Sequence, residues 1–216
     1  MILLFIGPSG SGKDTQAEKL VEQFKFERVS TGDLMRGISD GEKEIQQLIR
    51  KSMDEGFLAD NFVFGLLQIY LHNTQFENLV LSGAVRRDTQ IDLLDFSLFK
   101  ANKKLDKVVY FELSDEEAIK RMSNRYECSV CGSNYNLIFN PPKIEGKCDK
   151  NDGGILERRE DDNPESIKKR LEDFHKDNEE ILEIYGKRGI LVRIDASKSI
   201  DEVYQQLVDQ LKIKNQ

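Results

Sequence analysis

Residues 7–13 read Gly-Pro-Ser-Gly-Ser-Gly-Lys, and they follow the apolar run Ile2 to Ile6 with no residue between. Glycines at positions 7, 10 and 12 let a backbone curl until successive N–H groups point at one centre. A stretch with Ala17, Leu20, Val21 and Phe24 on one face comes next, so the turn opens an amphipathic helix. The start of a helix adds partial positive charge, and Lys13 has the reach to touch phosphate oxygens. Strand, glycine turn and helix in that order make a polyphosphate cradle, and such a cradle needs a parallel sheet around it.

The rest of the chain meets that need. Short apolar runs at Ile2 to Ile6, Glu27 to Ser30, Leu79 to Ser82, Val108 to Leu113 and Ile190 to Ile194 alternate with stretches of helical spacing. This is how buried parallel strands read in an α/β fold. The helical faces are Ile45, Leu48, Ile49 and Met53; Ile119, Met122 and Arg125; and Ile167, Leu171, Phe174, Ile181, Leu182 and Tyr185. Ser114 before three acidic residues and Asn163 before Pro-Glu-Ser mark helix starts. The expected architecture is a three-layer α/β phosphate-loop NTPase-type fold with a five-stranded parallel sheet.

Two stretches break the alternation. Residues 30–59 form a helical excursion, and residues 126–162 are rich in Cys, Gly, Asn, Pro and Asp. A length of 216 residues suits one domain with such elaborations. The core is therefore assigned to 1–29, 60–125 and 163–216, and the two inserts to 30–59 and 126–162.

The net charge of -7 argues against general attraction to nucleic acid or an anionic membrane. No segment approaches the roughly 20 apolar residues of a membrane span. The first residues lack a basic region and a cleavage site, so a cytoplasmic protein is expected. All three cysteines, Cys128, Cys131 and Cys148, fall in the second insert. Their spacing is that of half a zinc ribbon plus a third thiolate, and tetrahedral zinc needs a fourth ligand.

Further motifs follow in order: Gly10-Ser-Gly-Lys-Asp-Thr-Gln16, Ser30-Thr-Gly-Asp-Leu-Met-Arg36, Met53-Asp-Glu-Gly-Phe-Leu-Ala59, Ser82-Gly-Ala-Val-Arg86 with Gln90, Arg121 and Arg125, Arg159-Glu-Asp-Asp162, Arg170, and Ile194-Asp-Ala-Ser. Together they resemble the adenylate kinase family over nearly the whole chain. The resemblance implies reversible transfer of the terminal phosphoryl of Mg-ATP to AMP, giving two ADP, in a monomer. Arginine suits this task, since its planar guanidinium binds two oxygens and stays charged.

By the same resemblance, Gly10, Ser11, Gly12, Lys13, Asp14 and Thr15 would cradle ATP. Lys13, Arg121, Arg125, Arg159 and Arg170 would converge on the donor phosphates and the group in flight, with Arg159 and Arg170 also facing AMP. Arg36 and Arg86, beside Gly83, would hold the AMP phosphate. Thr31 and Gln90 would contact the acceptor adenine, helped by the backbone of Phe57, Leu58 and Ala59. Asn134 and Tyr135, with backbone near Lys198, would flank the donor adenosine. Residues 30–59 become an NMP-binding insert and 126–162 a zinc-bearing lid, and their closure would exclude water. In related lids the fourth zinc ligand lies three residues after the third cysteine. That position is Asn151, a poor ligand, so Asp152 is preferred.

The pattern departs from the family at a few positions. Ser82 stands where the family has an aspartate that holds magnesium through water, and Asp14 occupies a glycine position. Asp14 is expected to supply the carboxylate from the loop side, although an Asp in a first helical turn also favours the dipole on its own. Ala84 and Val85 replace Phe-Pro, and a looser acceptor loop is expected. A kinase for UMP or CMP and a catalytically silent nucleotide-binding protein stay open as alternatives. A zinc-ribbon nucleic-acid module is disfavoured by the charge. His72 and His175 read as ordinary surface residues.

Overall fold

A computed structural model describes residues 1–31, 34, 60–150, 153–158 and 162–213. Among them run β1 (Ile2–Ile6), α1 (Lys13–Phe24), β2 (Phe26–Ser30), α2 (Asp60–Asn73), β3 (Asn78–Ser82), α3 (Thr89–Lys100), β4 (Lys107–Glu112) and α4 (Asp115–Ser123). After these come β5 (Arg125–Cys128), β6 (Asn134–Asn136), β7 (Leu156–Glu157), α5 (Pro164–Lys187), β8 (Leu191–Asp195) and α6 (Ile200–Leu211). The helical spacing at Ile45 to Met53 lies outside the described residues.

Five strands pair in parallel in the order β2-β3-β1-β4-β8. β1 is central, and all five of its residues are buried, which is why it reads as an unbroken apolar run. Its alternate residues serve opposite faces. Ile2, Leu4 and Ile6 join Leu67, Ile91, Leu94, Leu98 and Tyr185 of α2, α3 and α5. Leu3 and Phe5 join Ala17, Leu20, Val203 and Leu207 of α1 and α6, and the Phe5 ring meets Phe111 edge-on at 4.9 Å. Each fully buried Leu contributes roughly 2 kcal/mol on these faces.

The strand order fixes where a ligand can sit. The connection from β1 to β2 crosses one face by way of α1, and that from β3 to β4 crosses the other by way of α3. The loops leaving β1 and β3 therefore part, and a crevice opens at their carboxyl ends.

Arg125 differs from its expected place. The α4 helix stops at Ser123, with Asn124 as its C-cap, and Arg125 opens β5, pairing with Asn136. The second insert also contains more order than its turn-rich composition suggests, since β6, β5 and β7 form a small antiparallel sheet. Both helix starts marked by capping residues are present: Ser114 Oγ accepts from Glu117 N at 3.3 Å, and Asn163 Oδ1 from Ser166 N at 2.9 Å.

Candidate active site

The loop between β1 and α1 lies at the mouth of the crevice. Gly12 is the N-cap of α1 at φ 79°, a left-handed conformation, and it brings no side chain to bond the first-turn N–H groups. Gly10, at φ 84°, runs so close to α4 that a Cβ would come within 3.0 Å of Ala118 O. The Ser11 hydroxyl is buried and has no hydrogen-bond partner among the described residues. The loop thus holds a hydroxyl that the described residues leave unused, while the Ser11 N–H bonds the Pro8 carbonyl at 3.1 Å.

Cations gather on this loop from distant parts of the chain. Burial is the largest influence lowering the Lys13 pKa, and Arg86, Arg125 and Arg170 add to it while Asp14 opposes it. Lys13 therefore sits among three arginines supplied by the loop after β3, by β5 and by α5. A buried polyanion is the ligand chemistry that would relieve such crowding.

Asp162, a residue with no role in the sequence reading, organises two of these arginines. Its side chain is fully buried. It accepts from Arg125 Nε and Nη2 at 2.7 Å each and from Arg170 Nη2 at 2.5 Å. Arg121 is braced separately, by Glu117 Oε1 at 3.0 Å and the Ser197 carbonyl at 3.3 Å, with its guanidinium 5.0 Å from the Phe139 ring centre.

The loop after β3 proves tight rather than loose. Ala84 and Val85 are buried in the core, so small side chains here fill space instead of freeing the backbone. Gln90 Oε1 accepts from Arg86 N at 2.7 Å and from Arg87 N at 3.3 Å, and Gln90 Nε2 donates to Asp60 at 2.7 Å. Arg87 grips the two Asp60 oxygens at 2.7 and 2.8 Å. Asp60 was missed in the sequence because its partners stand 27 and 30 residues away.

The residues expected near the donor adenosine are less gathered. Asn134 and Lys198 are exposed. The Tyr135 hydroxyl points into the cysteine cluster, where it accepts from Asp149 N at 2.7 Å and lies 3.5 Å from Cys148 Sγ. Burial, the main cause, and Cys148 push its pKa up to about 12. Thr31 directly follows β2 and Gly83 directly follows β3, so both stand on the crevice rim. Arg36, Phe57, Leu58, Ala59, Arg159 and Asp152 lie outside the described residues.

At the base of the crevice, Ser82 Oγ donates to Asp14 Oδ1 at 2.6 Å, and Arg28 Nη1 of β2 reaches the same oxygen at 3.4 Å. Burial acts to raise the Asp14 pKa, but Lys13, Ser82, Arg28 and Arg125 together bring it below the ordinary aspartate value.

The cysteines converge as their spacing implied. The three Sγ atoms lie within 4.8 Å of one another, and Cys131 and Cys148 approach to 3.6 Å. The backbone N–H groups of Val130 and Cys131 turn toward Cys128 Sγ at 3.4 and 3.5 Å. Burial, the main cause, pushes the Cys128 thiol up to about 11. A soft divalent metal such as zinc is compatible with this donor set.

Other features stand apart from this cluster. His72 is exposed, and His175 pairs with Asp115 at 2.7 Å on the surface. A groove of about 590 Å³ lined by Tyr110, Glu112, His175, Asn178 and Arg193 shares no residue with the cation cluster. No helix among the described residues is long and apolar enough to cross a membrane.

A parallel sheet with this crevice, a glycine loop opening α1 and a lysine ringed by arginines define a phosphate-loop nucleotide-binding protein. Comparison narrows the class. The family model described as adenylate kinase matches residues 5–190. An adenylate kinase of Staphylococcus epidermidis is 36% identical over 211 residues, covering 97% of this chain and 98% of that protein. Adenylate kinases of Archaeoglobus fulgidus, 36% identical with 96% of each chain covered, and of Staphylococcus aureus, 36% identical with 97% and 98% covered, are similar to the same degree. The chain belongs to the adenylate kinase family.

Proposed function

We propose that the chain transfers the terminal phosphoryl group of Mg-ATP to AMP, reversibly, giving two ADP. The observation that carries this reading is the gathering of Lys13, Arg86, Arg125 and Arg170 from four separate places in the chain. Moving a phosphoryl group between two nucleotides requires neutralising many anionic oxygens and holding donor and acceptor in line. A cluster that repels itself in the free protein is complementary to that concentrated negative charge.

In this reading the loop of Gly10, Ser11 and Gly12 and the ammonium of Lys13 hold the donor β- and γ-phosphates. Arg125 and Arg170, oriented by Asp162, stabilise the transferring group together with Arg121 and Arg159. Arg86 and Arg36 bind the AMP phosphate, with Thr31, Gly83, Gln90 and the backbone of residues 57–59 around the acceptor nucleoside. Asn134, the backbone of Tyr135 and the turn at Lys198 flank the donor adenosine. Magnesium bound with ATP would spread charge from the β- and γ-oxygens, and Asp14 and Thr15 are the oxygen donors that follow Lys13 in the loop.

Residues 30–59 serve as the AMP-binding insert and 126–162 as a lid, which close to keep water from competing with AMP. Zinc on Cys128, Cys131, Cys148 and Asp152 would hold the lid together. The need is physical: among the described residues, the buried cluster of its small sheet is Cys128, Tyr135 and Cys148, with Tyr126 and Leu156 against it. Three free thiols fit a cytoplasmic location. A monomer suffices, since every group named belongs to one chain.

A coupled assay for ADP, with AMP, UMP and CMP offered in turn to the protein and Mg-ATP, tests the reading. Turnover with AMP well above that with the other two is expected. Tight nucleotide binding without turnover would overturn it in favour of a silent binding protein.

A further inference from the structure

In phosphate-loop enzymes generally, the residue after the loop lysine offers a hydroxyl toward the nucleotide's divalent ion, and an aspartate elsewhere offers a carboxylate. Here the two side-chain types stand in exchanged places. Asp14 follows Lys13 in the loop, and Ser82 ends β3, the strand paired with β1. The exchange keeps the pair in contact, since Ser82 Oγ donates to Asp14 Oδ1 at 2.6 Å across 68 residues.

The details favour a carboxylate held ready for a ligand. Ser82 and Arg28 both bond Oδ1, and no hydrogen bond within the described residues reaches Oδ2. The Asp14 side chain keeps 47% of its surface exposed, whereas Ser82 is buried at 3%. The electrostatics point the same way. Among the described residues, three of the four charges that act most on Lys13 are arginines, and the fourth is Asp14. A divalent cation entering such surroundings needs a local negative charge, and Asp14 supplies it. A favourable helix dipole would account for an acid in the first turn of α1, but it gives no reason for a buried hydroxyl to be turned onto that acid.

We infer that Asp14 is the carboxylate through which this chain holds the hydrated divalent cation of the bound nucleoside triphosphate, with Ser82 as its positioning residue. The inference deepens the proposed function and rests on it. It assigns metal selection to the loop side of the crevice.

The test uses the full chain, Mn²⁺ as the probe ion and the non-hydrolysable analogue adenylyl imidodiphosphate, with bound Mn²⁺ read by electron paramagnetic resonance. Asp14→Ser is expected to weaken Mn²⁺ in the ternary complex by about 10-fold or more. Ser82→Asp alone would set two carboxylates face to face and is expected to disturb nucleotide binding. The double variant Asp14→Ser with Ser82→Asp moves the carboxylate to the end of β3, where the family carries it, and is expected to bind Mn²⁺ within about threefold of the unaltered chain, a strong departure from additivity. Asp14→Asn preserves the shape and a hydrogen-bond acceptor for Ser82, and weak Mn²⁺ binding with an unchanged melting temperature would separate lost charge from lost folding. Unchanged Mn²⁺ affinity in Asp14→Asn, or a double variant no better than Asp14→Ser, overturns the inference and leaves the kinase reading intact. Failure of the unaltered chain to bind the analogue at all would overturn both.

Discussion

Arg125 and Asp162 meet side-on, with Nε and Nη2 of the arginine each 2.7 Å from a carboxylate oxygen. The aspartate is fully buried and the arginine about four-fifths so, with 20% of its side chain exposed. A two-point contact of this kind fixes the plane of a guanidinium, which a single-point contact with a lysine would not do. Asp162 holds Arg170 as well, so one carboxylate sets the directions of two cations beside the phosphate loop.

Asp162→Ala should therefore damage both folding and activity. It leaves two partly buried arginines without their anion, a loss of about 3 kcal/mol in urea melts. Turnover in the coupled assay should fall by about 100-fold through misplacement of the arginines. Unaltered turnover would show that Asp162 is a structural ion-pair partner only.

Lys13→Met is expected to separate stability from function. The folded-state pKa of Lys13 is depressed, so the unfolded chain holds this proton more tightly than the folded one. The unfavourable contribution to folding is fully present below the folded pKa and fades as pH rises toward the unfolded value. Replacement by Met removes it and should stabilise the free protein by about 1 kcal/mol at neutral pH. Activity should drop by about 1,000-fold in the proposed reading, in which Lys13 donates to the transferring phosphoryl. A companion measurement is calorimetry in buffers of differing ionisation enthalpy. Phosphate oxygens raise the Lys13 pKa, so nucleotide binding in the alkaline window should take up protons.

The cysteine cluster leads to a metal prediction. Chelation of the purified protein should release close to one equivalent of zinc, and less than about half an equivalent in carefully prepared protein would count against the site. Cys128 is pushed up to about 11 in the metal-free state, so its thiol is protonated at neutral pH and zinc loading should release protons. A pH indicator in weak buffer reads that release. Cys148→Ser should lower the melting temperature by about 5 °C, with the protection of residues 125–157 in hydrogen exchange lost first.

Asp60→Asn tests the acceptor loop. It weakens the contact in which Arg87 Nη2 reaches both carboxylate oxygens, and leaves Gln90 with a poorer partner. A partly exposed pair of this kind is worth about 1 kcal/mol, so KM for AMP should rise about fivefold. Turnover at saturating AMP should change much less. Equal effects on KM and kcat would place Asp60 in the chemistry itself.

The central strands β1, β3 and β4 were legible because they are largely buried in a parallel sheet and read as short apolar runs, while the edge strands β2 and β8 carry charged residues and are only partly buried. The β1 bounds coincide with the sequence reading, and β2 and β3 start one residue earlier than expected. The small sheet was not legible. Its strands have four, three and two residues, and thiols and turns organise them in place of an apolar face. Arg125 looked helical because it continues the spacing of Ile119 and Met122, but the local turn at Asn124 won. Among site residues, Lys13 and the arginines could be found from ordered motifs. Asp162, Asp60 and the contact between Ser82 and Asp14 depend on tertiary pairing that no spacing announces, even where Asp162 lies inside a quoted motif, whereas Glu117 stands one helical turn before Arg121 and was legible from that spacing.

The start of α1 carries one last implication. Gly12 contributes only a hydrogen atom where most helices place Ser, Thr, Asp or Asn, so no N-cap side chain bonds the first turn, and in the proposed reading the nucleotide's phosphates take that place. Substrate then acts as the missing terminator of a structural element, and affinity and rigidity become one quantity measured in two ways. A capping side chain at position 12 would have to adopt the left-handed φ of 79°, so it would strain the loop as well as blunt its grip on nucleotide.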